Sequence, residues 1–492
     1  MPETAMPAFT TSHGIIGVSN WGYQLQGLNG APLNPDPYAA SPHDLVVIDY
    51  SSNGRDEGMH TPAQIAAIQN KPGGAVALSY LSIGEASDFR NDWNPAWTAT
   101  GLASGALTAA APHWLGPTNP DWPESRKVRY WESGWQDEIF NAAHTGALDK
   151  IVMQGFDGAY LDIVDAYYFW AVEATAGQRQ PGDPAVGDEH DASARMIDFI
   201  VAMTAHARQT NPDFFVILQN GDFIIDALEG VEPARKAALL DAIGGIAVED
   251  VYLRGGNDAE NNAFRPDAER IAVLQRDFLG NGKAVFAVDY VTDPALMGQF
   301  VERALHDGFI PTVAPNRDLD RPFAALQSPS SVTESADLVA GTAGADSIGA
   351  LSGNDWIFGF GANDVLDGGD GQDKLIGGNG RDILHGGGER DTFIFQSAAE
   401  THRGSLKDKI TDFERHIDRI DVRAIDASTK AAGDQAFKWI GKQGFHGQAG
   451  ELRFHDAGRN AYAEGDINGD GRADFKILVL NIAGLDKGDL IL

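Results

Sequence analysis

Six consecutive nine-residue repeats, beginning at Gly341, constrain the fold of this chain more than any other feature. They read GTAGADSIG, ALSGNDWIF, GFGANDVLD, GGDGQDKLI, GGNGRDILH and GGGERDTFI. The sixth position is aspartate in every repeat: Asp346, Asp355, Asp364, Asp373, Asp382 and Asp391. Two residues later an apolar residue always follows: Ile348, Ile357, Leu366, Leu375, Leu384 and Phe393. An acidic segment without regular structure would not keep the aspartate and the apolar residue at fixed positions through six repeats. The pattern therefore predicts a regular coiled fold.

Each column of the repeat has a physical role. Glycines allow a tight half-turn that brings backbone carbonyl groups close to a cation, and the aspartate adds an anionic oxygen. The apolar residue fills a narrow core between short strands. Calcium accepts about 6–8 oxygen ligands in loose geometry and suits such loops better than magnesium. The six aspartates are therefore predicted calcium ligands.

The repeats resemble the repeats-in-toxin parallel β-roll, in which two nonapeptides form one coil and calcium lies between loops on the same side. This resemblance implies about three coils and roughly four ions. The glycine pattern is broken by Ala350 and Leu351 in the second repeat, by residues 360–362 in the third and by Glu389 in the last. Weaker calcium binding is expected at the ends of the roll.

The segments KDKITDFERHIDRIDVRAID and GDINGDGRADFKI, downstream of the repeats, are similar to the C-terminal segment of serralysin-type secreted proteins. The resemblance covers most of residues 341–492. Within it, four residues match the front of an EF-hand loop: Asp466, Asn468, Asp470 and Asp474. Gly471 stands at the required turn, but Ile477 replaces the glutamate at position twelve. Either a calcium ion or a Gly-Asp turn between strands fits this loop.

The region from about residue 13 to 323 alternates short apolar runs with amphipathic stretches, which is typical of βα units around a parallel sheet. Eight such runs are Gly14 to Ser19, Asp44 to Tyr50, Ala75 to Ile83, Gly158 to Val164, Phe214 to Asn220, Ile243 to Glu249, Ala284 to Tyr290 and Phe309 to Ala314. They predict an α/β fold, a (β/α)8 TIM barrel, followed by an all-β parallel β-roll domain.

Changes in composition suggest the domain boundaries. Residues 1–12 are expected to form a tail, 13–325 the barrel, 326–340 a linker that loses apolar periodicity, 341–395 the roll, and 396–492 a C-terminal β segment with a type I secretion signal. The stretch from Thr98 to Arg129 is expected to pass over the barrel mouth. Its Trp114 and Trp122 are suited either to stack on sugar rings of a substrate or to pack against the barrel.

Polar residues close most of the predicted strands, at the face where such barrels carry their active sites. They are Asp49, Glu85, Asp162, Asp165, Gln219, Asn220, Glu249, Asp250, Asp289 and Tyr290. Hydrolysis of a glycosidic bond normally needs two carboxyl groups that flank the bond. The barrel region has no HExxH, GxSxG or Walker A motif and no cysteine nucleophile, so paired carboxylates are the leading chemistry.

The motifs WGYQLQG, VVIDYS, LSIGEASDFR, GFDGAYLDIVDAY and GIAVEDVY are similar to those of the endo-α-1,4-polygalactosaminidases of glycoside hydrolase family 114, over most of residues 14–320. The resemblance implies a cationic galactosamine-containing polymer as substrate. It also implies a catalytic aspartate ending the fourth strand, here Asp162, and a catalytic glutamate ending the sixth, here Glu249. The adjacent Asp250 leaves the position of the glutamate open by one residue.

The resemblance leaves further roles to be assigned. We expect Asp162 to act as nucleophile or base and Glu249 as general acid. Retention of the anomeric configuration, which requires carboxyl groups about 5–5.5 Å apart, is expected rather than inversion. Other residues are candidates either for binding amino and hydroxyl groups of the substrate or for buried strand-end hydrogen bonds: Asp49, Glu85, Asp165, Gln219 and Tyr290.

Charge limits the possible partners of the chain. Its 37 Lys and Arg against 70 Asp and Glu give a formal charge of −33, which argues against nucleic acid. An acidic cleft would attract a polyamine-like sugar chain, although the calcium repeats already explain much of the acidity. No stretch approaches the roughly 20 apolar residues of a membrane helix, and the absence of cysteine excludes disulfides. A monomer without a catalytic cofactor is expected.

Export is predicted to use the type I secretion machinery. Residues 1–12 carry neither a basic region nor an apolar core, so they do not indicate a Sec signal peptide. The end of the chain, Asp489 to Leu492, resembles the acidic-then-apolar tail of type I substrates.

The predicted protein is therefore an extracellular glycosidase. The alternative is a non-catalytic, calcium-stabilised glycan-binding or adhesion protein, and the presence of both Asp162 and Glu249 favours the enzyme. A serralysin-type protease is excluded by the missing HExxH motif.

Overall fold

The computed structural model describes the chain except residues 1–6, 28–29, 42, 229, 256–259, 315, 321–325, 328–331, 335, 342–343, 402–406 and 432–434. Half of the predicted tail and parts of the predicted linker and first repeat thus lie outside the described residues. Contacts divide the chain into two units. The first comprises Met1–Thr292 and Arg303–Phe323, and the second comprises Asp293–Glu302 and Ala324–Leu492.

The first unit is built on eight parallel strands that pair in chain order. They are β1 (Trp21–Gln24), β2 (Leu45–Asp49), β3 (Val76–Ser82), β4 (Gly158–Asp162), β5 (Phe215–Gln219), β6 (Ile243–Glu249), β7 (Ala284–Tyr290) and β8 (Ile310–Ala314). At the seam, Trp21 Nε1 donates to the Ile310 carbonyl at 3.2 Å, and Thr312 Oγ1 donates to the Trp21 carbonyl at 2.7 Å. The sheet is a nearly closed barrel, which confirms the predicted fold class.

The predicted position of the first strand was wrong. Residues Gly14–Gly17 pair antiparallel with Ala8–Thr11 in a hairpin outside the barrel sheet, and Ile15 is 74% exposed. The barrel begins instead at β1, whose Trp21 and Tyr23 are buried in the barrel interior. An apolar run of four residues does not reveal whether it faces the core, so the two neighbouring runs were indistinguishable by pattern alone.

The helices follow the strands in the expected alternation. The α-helices are α1 (Pro62–Gln69), α2 (Ser133–Ile139), α3 (Ala147–Gln154), α4 (Ala166–Tyr168), α5 (Glu189–Ala207), α6 (Pro233–Ala242), α7 (Ala268–Asp277) and α8 (Pro294–Asp307). A π-helical turn, Phe169–Glu173, extends α4. Short 3-10 turns are Asp36–Ala40, Asp56–Gly58, Pro95–Trp97, Asp226–Leu228, Leu279–Asn281 and Lys487–Asp489. No helix among the described residues is both long and apolar enough to cross a membrane.

Local sequence fixes where these helices begin. Thr61 accepts a hydrogen bond from the backbone N–H of Gln64, whose side chain in turn accepts the Thr61 N–H, so a capping box starts α1. Asp188 caps α5 by accepting the N–H of Asp191. Such caps satisfy N–H groups that have no partner within the helix.

Aromatic side chains fill the barrel interior below the mouth. The rings of Tyr23 and Tyr160 lie 5.0 Å apart, and those of Trp21 and Phe286 lie 5.4 Å apart. These residues are almost fully buried, together with apolar residues of the other strands. The interior is thus a packed core, as in other closed barrels of eight strands, and a ligand can reach only the ends of the strands.

The segment between β3 and β4 forms a three-stranded antiparallel sheet of Glu85–Ser87, Ser125–Val128 and Leu115–Thr118. Trp114 is buried and its ring lies 5.0 Å from that of Trp135. Trp122, in the connection between two of these strands, is 62% exposed. Of the two tryptophans, Trp114 therefore packs and Trp122 is accessible to a ligand.

Besides Asp293–Glu302, most of which belongs to α8, and the turn Lys487–Asp489, the regular elements of the second unit are β-strands, and its chain winds between two sheets. The first sheet contains, in order, Leu326–Gln327, Leu338–Ala340, Trp356–Phe358, Lys374–Ile376, Thr392–Ile394, Arg419–Asp421 and Leu490–Ile491. The second contains Ser347–Gly349, Val365–Asp370, Ile383–Gly388, Lys409–Ile410, Phe475–Val479, Asn460–Asp466, Glu451–Ala457 and Lys438–Trp439.

The pairing register shows the period of the coil. In one sheet Ile348 pairs with Leu366 and Leu366 with Leu384, and in the other Ile357 pairs with Leu375. Each partner is two nonapeptides further along the chain, and the apolar column forms one buried core. The predicted parallel β-roll with two repeats per coil is confirmed.

Candidate active site and calcium-binding roll

Asp162 ends β4 and Glu249 ends β6, with β5 between them. Both are partly exposed at the carboxyl ends of the strands. Residues two apart on a strand point to the same face, so Asp162 follows the inward-facing Tyr160 and shares its direction. The negative charge of Glu249 raises the pKa of Asp162. The two carboxyl groups are thus close enough to act on one another.

Two donors hold Asp162. Tyr80 Oη donates to Oδ2 at 2.5 Å, and the backbone N–H of Ile163 donates to Oδ1 at 2.8 Å. Burial is the main cause that raises the pKa of Asp162 to about 7, while the bond from Tyr80 lowers it. A carboxyl group with this pKa exchanges its proton near neutral pH, which is the range that acid-base catalysis requires.

Glu249 is held by two side chains from the neighbouring strands. Tyr290 Oη donates to Glu249 Oε1 at 2.7 Å, and Gln219 Nε2 donates to the same oxygen at 2.9 Å. Burial raises the pKa of Glu249, and the charge of Asp250 raises it further. Gln219 and Tyr290, both predicted as site residues, therefore contact the predicted glutamate.

The backbone is strained directly after three successive strands of the site. Ile163, Asn220 and Asp250 follow β4, β5 and β6, and their φ angles are 58°, 56° and 54°. This left-handed region is uncommon for residues other than glycine and is costly for β-branched isoleucine. Strain of this kind concentrates at functional sites. At Ile163 it accompanies the N–H bond to Asp162.

Tyrosine hydroxyl groups surround the two carboxyl groups. Tyr80 and Tyr290 donate to them directly, and Tyr23 Oη donates to Gln219 Oε1 at 3.3 Å. Tyr160 Oη is buried and has no hydrogen-bond partner among the described residues. Burial raises the pKa of Tyr160, and the charges of Glu249 and Asp162 raise it further. One hydroxyl beside the carboxyl pair therefore lacks a partner within the described part of the chain.

Asp49 and Glu85 are buried in ion pairs. Asp49 Oδ2 lies 2.6 Å from Arg90 Nη1, and Glu85 Oε1 lies 2.5 Å from Lys127 Nζ. Glu85 also accepts the Asn119 amide at 2.8 Å. These contacts anchor the segment that follows β3, in agreement with the strand-end role considered for both residues. Their predicted contact with substrate stays a prediction.

Asp165 and Asp289 differ in position. Asp165 is exposed at the start of α4, where the charges of Lys127 and Glu85 act on it. Asp289 is fully buried and accepts the backbone N–H groups of Tyr252 and Leu253, each at 3.3 Å. Asp289 therefore positions the loop after β6.

Sequence reasoning missed several residues of the site. Tyr80 and Tyr160 precede the strand ends, and their inward direction follows from alternation along β3 and β4. Arg317 was not detectable by pattern: its guanidinium lies 4.0 Å from the centre of the Tyr290 ring and 2.6 Å from Asp250 Oδ1. This residue comes from the loop after β8, whose path only the folded chain reveals.

A cavity of about 250 Å³ adjoins the site on the β3 side. Its lining includes Tyr80, Glu85, Arg90, Asp92 and Glu138. Burial raises the pKa of Asp92 and of Glu138, and the two carboxyl groups act on each other because the charge of Asp92 raises the Glu138 pKa. The cavity extends the acidic character of the mouth.

The aspartates of the roll form a regular ladder. Asp364 Oδ1 accepts the backbone N–H of Asp346 at 2.8 Å, and the bond repeats from coil to coil. The other members bond in the same way at 2.7–3.0 Å, with Asp355, Asp373, Asp382, Asp391, Asp408 and Asp418 as acceptors. Asp346 is half-buried, and the five later repeat aspartates are buried. One carboxylate oxygen thus fixes each loop.

The second oxygen of four ladder residues has no hydrogen-bond partner among the described residues although it is buried: Asp355, Asp364, Asp373 and Asp382. A Cβ placed on Gly359 would lie 2.5 Å from Asp364 Oδ2 and 2.6 Å from the carbonyl oxygen of Gly377. A side chain larger than that of glycine would therefore crowd these oxygens. The buried carboxylate oxygens without a partner are anionic oxygen ligands of the kind that calcium prefers.

The loop that matches the front of an EF-hand differs from these sites. Asp466 accepts the N–H groups of Gly469 at 2.6 Å and of Gly471 at 2.8 Å. Asp474 accepts the N–H of Ile467 and the side-chain amide of Asn468, and Asp470 accepts the N–H of Arg472. These bonds build a Gly-Asp turn between two strands. Calcium binding at Asp466, Asn468, Asp470 and Asp474 stays a prediction.

A parallel barrel with a pair of partly exposed, hydrogen-bonded carboxyl groups at the carboxyl ends of its strands is the arrangement of a glycosidase. Residues 4–331 match the model of glycoside-hydrolase family GH114. The chain belongs to this family. Residues 346–492 match the C-terminal model of the M10 serralysin peptidases, and residues 332–359 match the RTX calcium-binding nonapeptide repeat. The second unit is thus a calcium-binding RTX region with a serralysin-type C terminus.

The barrel region is also similar to proteins of other organisms. An uncharacterised protein of Methanocaldococcus jannaschii is 33% identical over 309 residues, which cover 61% of this chain and 77% of the relative. An uncharacterised protein of Deinococcus radiodurans is 34% identical over 314 residues, covering 62% and 83%. Among solved structures, the glycoside hydrolase domain of PelA from Pseudomonas aeruginosa is 16% identical with a TM-score of 0.41, covering 62% of this chain and 97% of that domain.

Proposed function

We propose that this protein is a secreted, endo-acting glycosidase that cleaves an amino-sugar polysaccharide, an α-1,4-linked galactosamine polymer, with Asp162 and Glu249 as its catalytic pair. The observation that carries the proposal is the pair itself. Two carboxyl groups stand two strands apart at the barrel mouth, each held by a tyrosine hydroxyl from a neighbouring strand. A sugar unit at the mouth would lie against both.

The two carboxyl groups have different tasks. We assign Glu249 as the general acid that protonates the leaving oxygen, a role that the raising of its pKa by burial and by Asp250 suits. Burial also raises the pKa of Asp162 to about 7, so Asp162 takes up its ionised role as pH rises through this value. Asp162 is the nucleophile or base, and the donors Tyr80 and Ile163 N–H stabilise its ionised form as positive charge develops on the sugar. Glu249 is oriented by Gln219 and Tyr290, so its proton is presented from a fixed direction.

Electrostatics favours a cationic substrate. The three cations described above at the mouth are each paired with an acid: Arg90 with Asp49, Lys127 with Glu85 and Arg317 with Asp250. The carboxyl groups of Asp162, of Asp165 and of the adjoining cavity add negative charge to this balanced set when they are ionised. Free amino groups of a galactosamine polymer would be attracted by such a surface, whereas acidic polymers would be repelled.

The second unit supports export and function outside the cell. RTX repeats combined with a serralysin-type C terminus are the basis for proposing type I secretion. Bound calcium neutralises the ladder of buried aspartates and so stabilises the folded roll. In a low-calcium compartment the roll would stay unfolded for passage through an exporter, and it would fold on release.

Product analysis tests the proposed activity. The full chain with calcium is incubated with de-N-acetylated and acetylated galactosamine polymers and with matched glucosamine polymers, and the products are sized. We expect oligomers of intermediate length from the de-N-acetylated galactosamine polymer. Binding of the polymer without any product, by the wild type and by Asp162→Asn alike, would instead indicate the glycan-binding alternative.

A further inference from the structure

Two histidines and an aspartate converge on the helical layer of the barrel, and none of them belongs to the proposed catalytic pair. Asp149 belongs to the first turn of α3, His144 to the segment before it, and His206 to the last turn of α5. His206 Nε2 lies 2.7 Å from Asp149 Oδ1, and His144 Nδ1 lies 3.1 Å from the same oxygen. One ligand atom from each residue lies within 4.8 Å of the others.

The same three residues line a cavity of about 290 Å³. The remaining lining residues are Val152, Met153, Ala207 and Thr210. Asp149 is buried, His206 is half-buried and His144 is exposed. The cluster therefore opens to solvent at the imidazoles while its carboxylate stays shielded. An ion could enter from the solvent side and reach all three ligand atoms.

The surrounding structure holds the ligands in place. Asp149 Oδ2 accepts the backbone N–H groups of Asn141 at 3.2 Å and Gly146 at 3.1 Å, which leaves Oδ1 directed at the imidazoles. The Phe140 ring lies 5.1 Å from the His206 ring. His144 adopts a left-handed φ of 54°, a conformation that histidine tolerates better than most residues. Hydrogen bonds to the free oxygen of a ligand carboxylate are a common support of metal sites.

We propose that His144, Asp149 and His206 bind a divalent transition metal, zinc or an ion of similar preference, with solvent as the fourth ligand. Two imidazoles and one carboxylate suit such ions, whereas calcium and magnesium prefer oxygen ligands alone. Tetrahedral ligands at about 2.0–2.1 Å from zinc are separated by about 3.3 Å, so the present N···O distances need only a small outward shift.

The location suggests what the ion does. His206 lies at the carboxyl end of α5, where the partial negative charge of the helix favours a cation. A bound ion would join the segment before α3 to α5 and so stabilise the barrel without contacting the carboxyl pair. This site differs from the roll both in its ligands and in the class of metal, so the two can be loaded separately.

Cobalt(II) reports directly on such a site through its visible absorption. The full chain, kept in saturating calcium, is titrated with Co²⁺. We expect one saturable absorption change for the wild type, reversed by zinc. The apparent dissociation constant should rise at least about tenfold in His144→Ala and in His206→Gln, because each loses one of three protein ligands. The matched control is His113→Ala, which removes an exposed histidine that also pairs with an acid, Glu132 at 2.5 Å.

Thermal unfolding gives an independent readout. Zinc should raise the unfolding temperature of the barrel in the wild type and in His113→Ala but not in His144→Ala. Since His144 is exposed, its replacement should leave the fold intact, and far-ultraviolet circular dichroism checks this. The proposal is overturned if the wild type shows no saturable cobalt absorption, or if both His144→Ala and His206→Gln keep wild-type affinity.

Discussion

At the residue scale, the proposed chemistry depends on two carboxyl groups whose removal should leave their surroundings in place. Asp162→Asn and Glu249→Gln keep the shape of each side chain but remove its acid-base capacity. We expect each variant to lower turnover on the galactosamine polymer by at least about 10³-fold, because the reaction needs both carboxyl groups and loses most of its rate when either is removed. Initial rates of reducing-end formation measure this.

Asp250→Asn is the matched control for these variants, because Asp250 neighbours Glu249 but pairs with Arg317. We expect a far smaller loss of turnover, together with a shift of the alkaline limb of the pH profile to lower pH, since the charge of Asp250 raises the pKa of the general acid Glu249. Near-normal turnover in Asp162→Asn or Glu249→Gln would refute the assignment of that residue.

Asp162 should also reduce the stability of the barrel in alkaline solution. Its folded-state pKa of about 7 lies above the ordinary value of 3.8, so the folded protein holds a proton that the unfolded chain releases between these values. The stability that this proton confers is complete below that window and is lost as pH rises through it. Asp162→Asn should therefore unfold at a higher temperature than the wild type at pH 8 and at a similar temperature at pH 4. A wild-type barrel that is equally or more stable at both pH values would contradict this.

Removal of the Tyr160 hydroxyl should lower activity without lowering stability. Its buried hydroxyl lacks a partner among the described residues, so Tyr160→Phe should leave the unfolding temperature unchanged or raise it. If the hydroxyl binds a polar atom of the substrate or a reacting water, turnover should fall by about 10- to 100-fold. Tyr290→Phe is the matched comparison, because it removes a hydroxyl that is already bonded to Glu249. Unchanged turnover in Tyr160→Phe would show that its hydroxyl has no contact with the reaction.

At the scale of elements, strand ends were predictable because apolar runs and their polar ends follow directly from the sequence. The ends of β6 and β7 lie where the pattern placed them, while β5 ends one residue and β4 two residues before the end of the predicted run. Side chains that reach the site from outside this pattern were not predictable. Arg317 enters from a loop, and Arg90 neutralises Asp49 from the segment after β3.

The first strand was misplaced because the apolar pattern carries no information on contacts between segments. A periodic signal identifies extended apolar segments but does not indicate which of two neighbours joins the barrel. The roll was easier to predict, because its repeat sets both the register and the buried column at once. Sequence therefore determined the regular elements more fully than it determined the contacts between irregular segments.

The antiparallel excursion between β3 and β4 presents Trp122 with 62% of its surface exposed. An exposed indole on this excursion suits the apolar face of a sugar ring. We expect Trp122→Ala to raise KM several-fold while kcat and the unfolding temperature stay within error. Leu107→Ala, which alters another exposed apolar residue of the excursion, should leave KM unchanged. An equal rise of KM in both variants would argue against a specific platform at Trp122.

At the scale of the whole molecule, calcium should control the second unit and leave the first unaffected. Five buried repeat aspartates follow one another through the coils, and burial raises the pKa of Asp364 to about 7 when no cation is bound. Calcium stabilises the ionised carboxylates, which otherwise repel one another or must take up protons. The repeats therefore cannot gain enough from their narrow core to offset chain entropy without the ion.

Calorimetry of the full chain should accordingly show two unfolding transitions in calcium. A chelator should abolish the unfolding transition of residues from about 340 to 492 and leave the barrel transition at the same temperature.

Two glycine variants make the test specific to the ion site. The Cβ of Gly359→Ala would occupy the space between Asp364 Oδ2 and the Gly377 carbonyl, whereas the Cβ of Gly349→Ala would have no neighbour within 4 Å. Both substitutions add one methyl group to the same roll, and neither glycine has a left-handed φ. Gly359→Ala should therefore require several-fold more calcium to fold the second unit, and Gly349→Ala should behave as the wild type. A C-terminal transition that calcium does not move, or an equal calcium requirement in the two variants, would show that the unpartnered oxygens of the ladder are not the ion site.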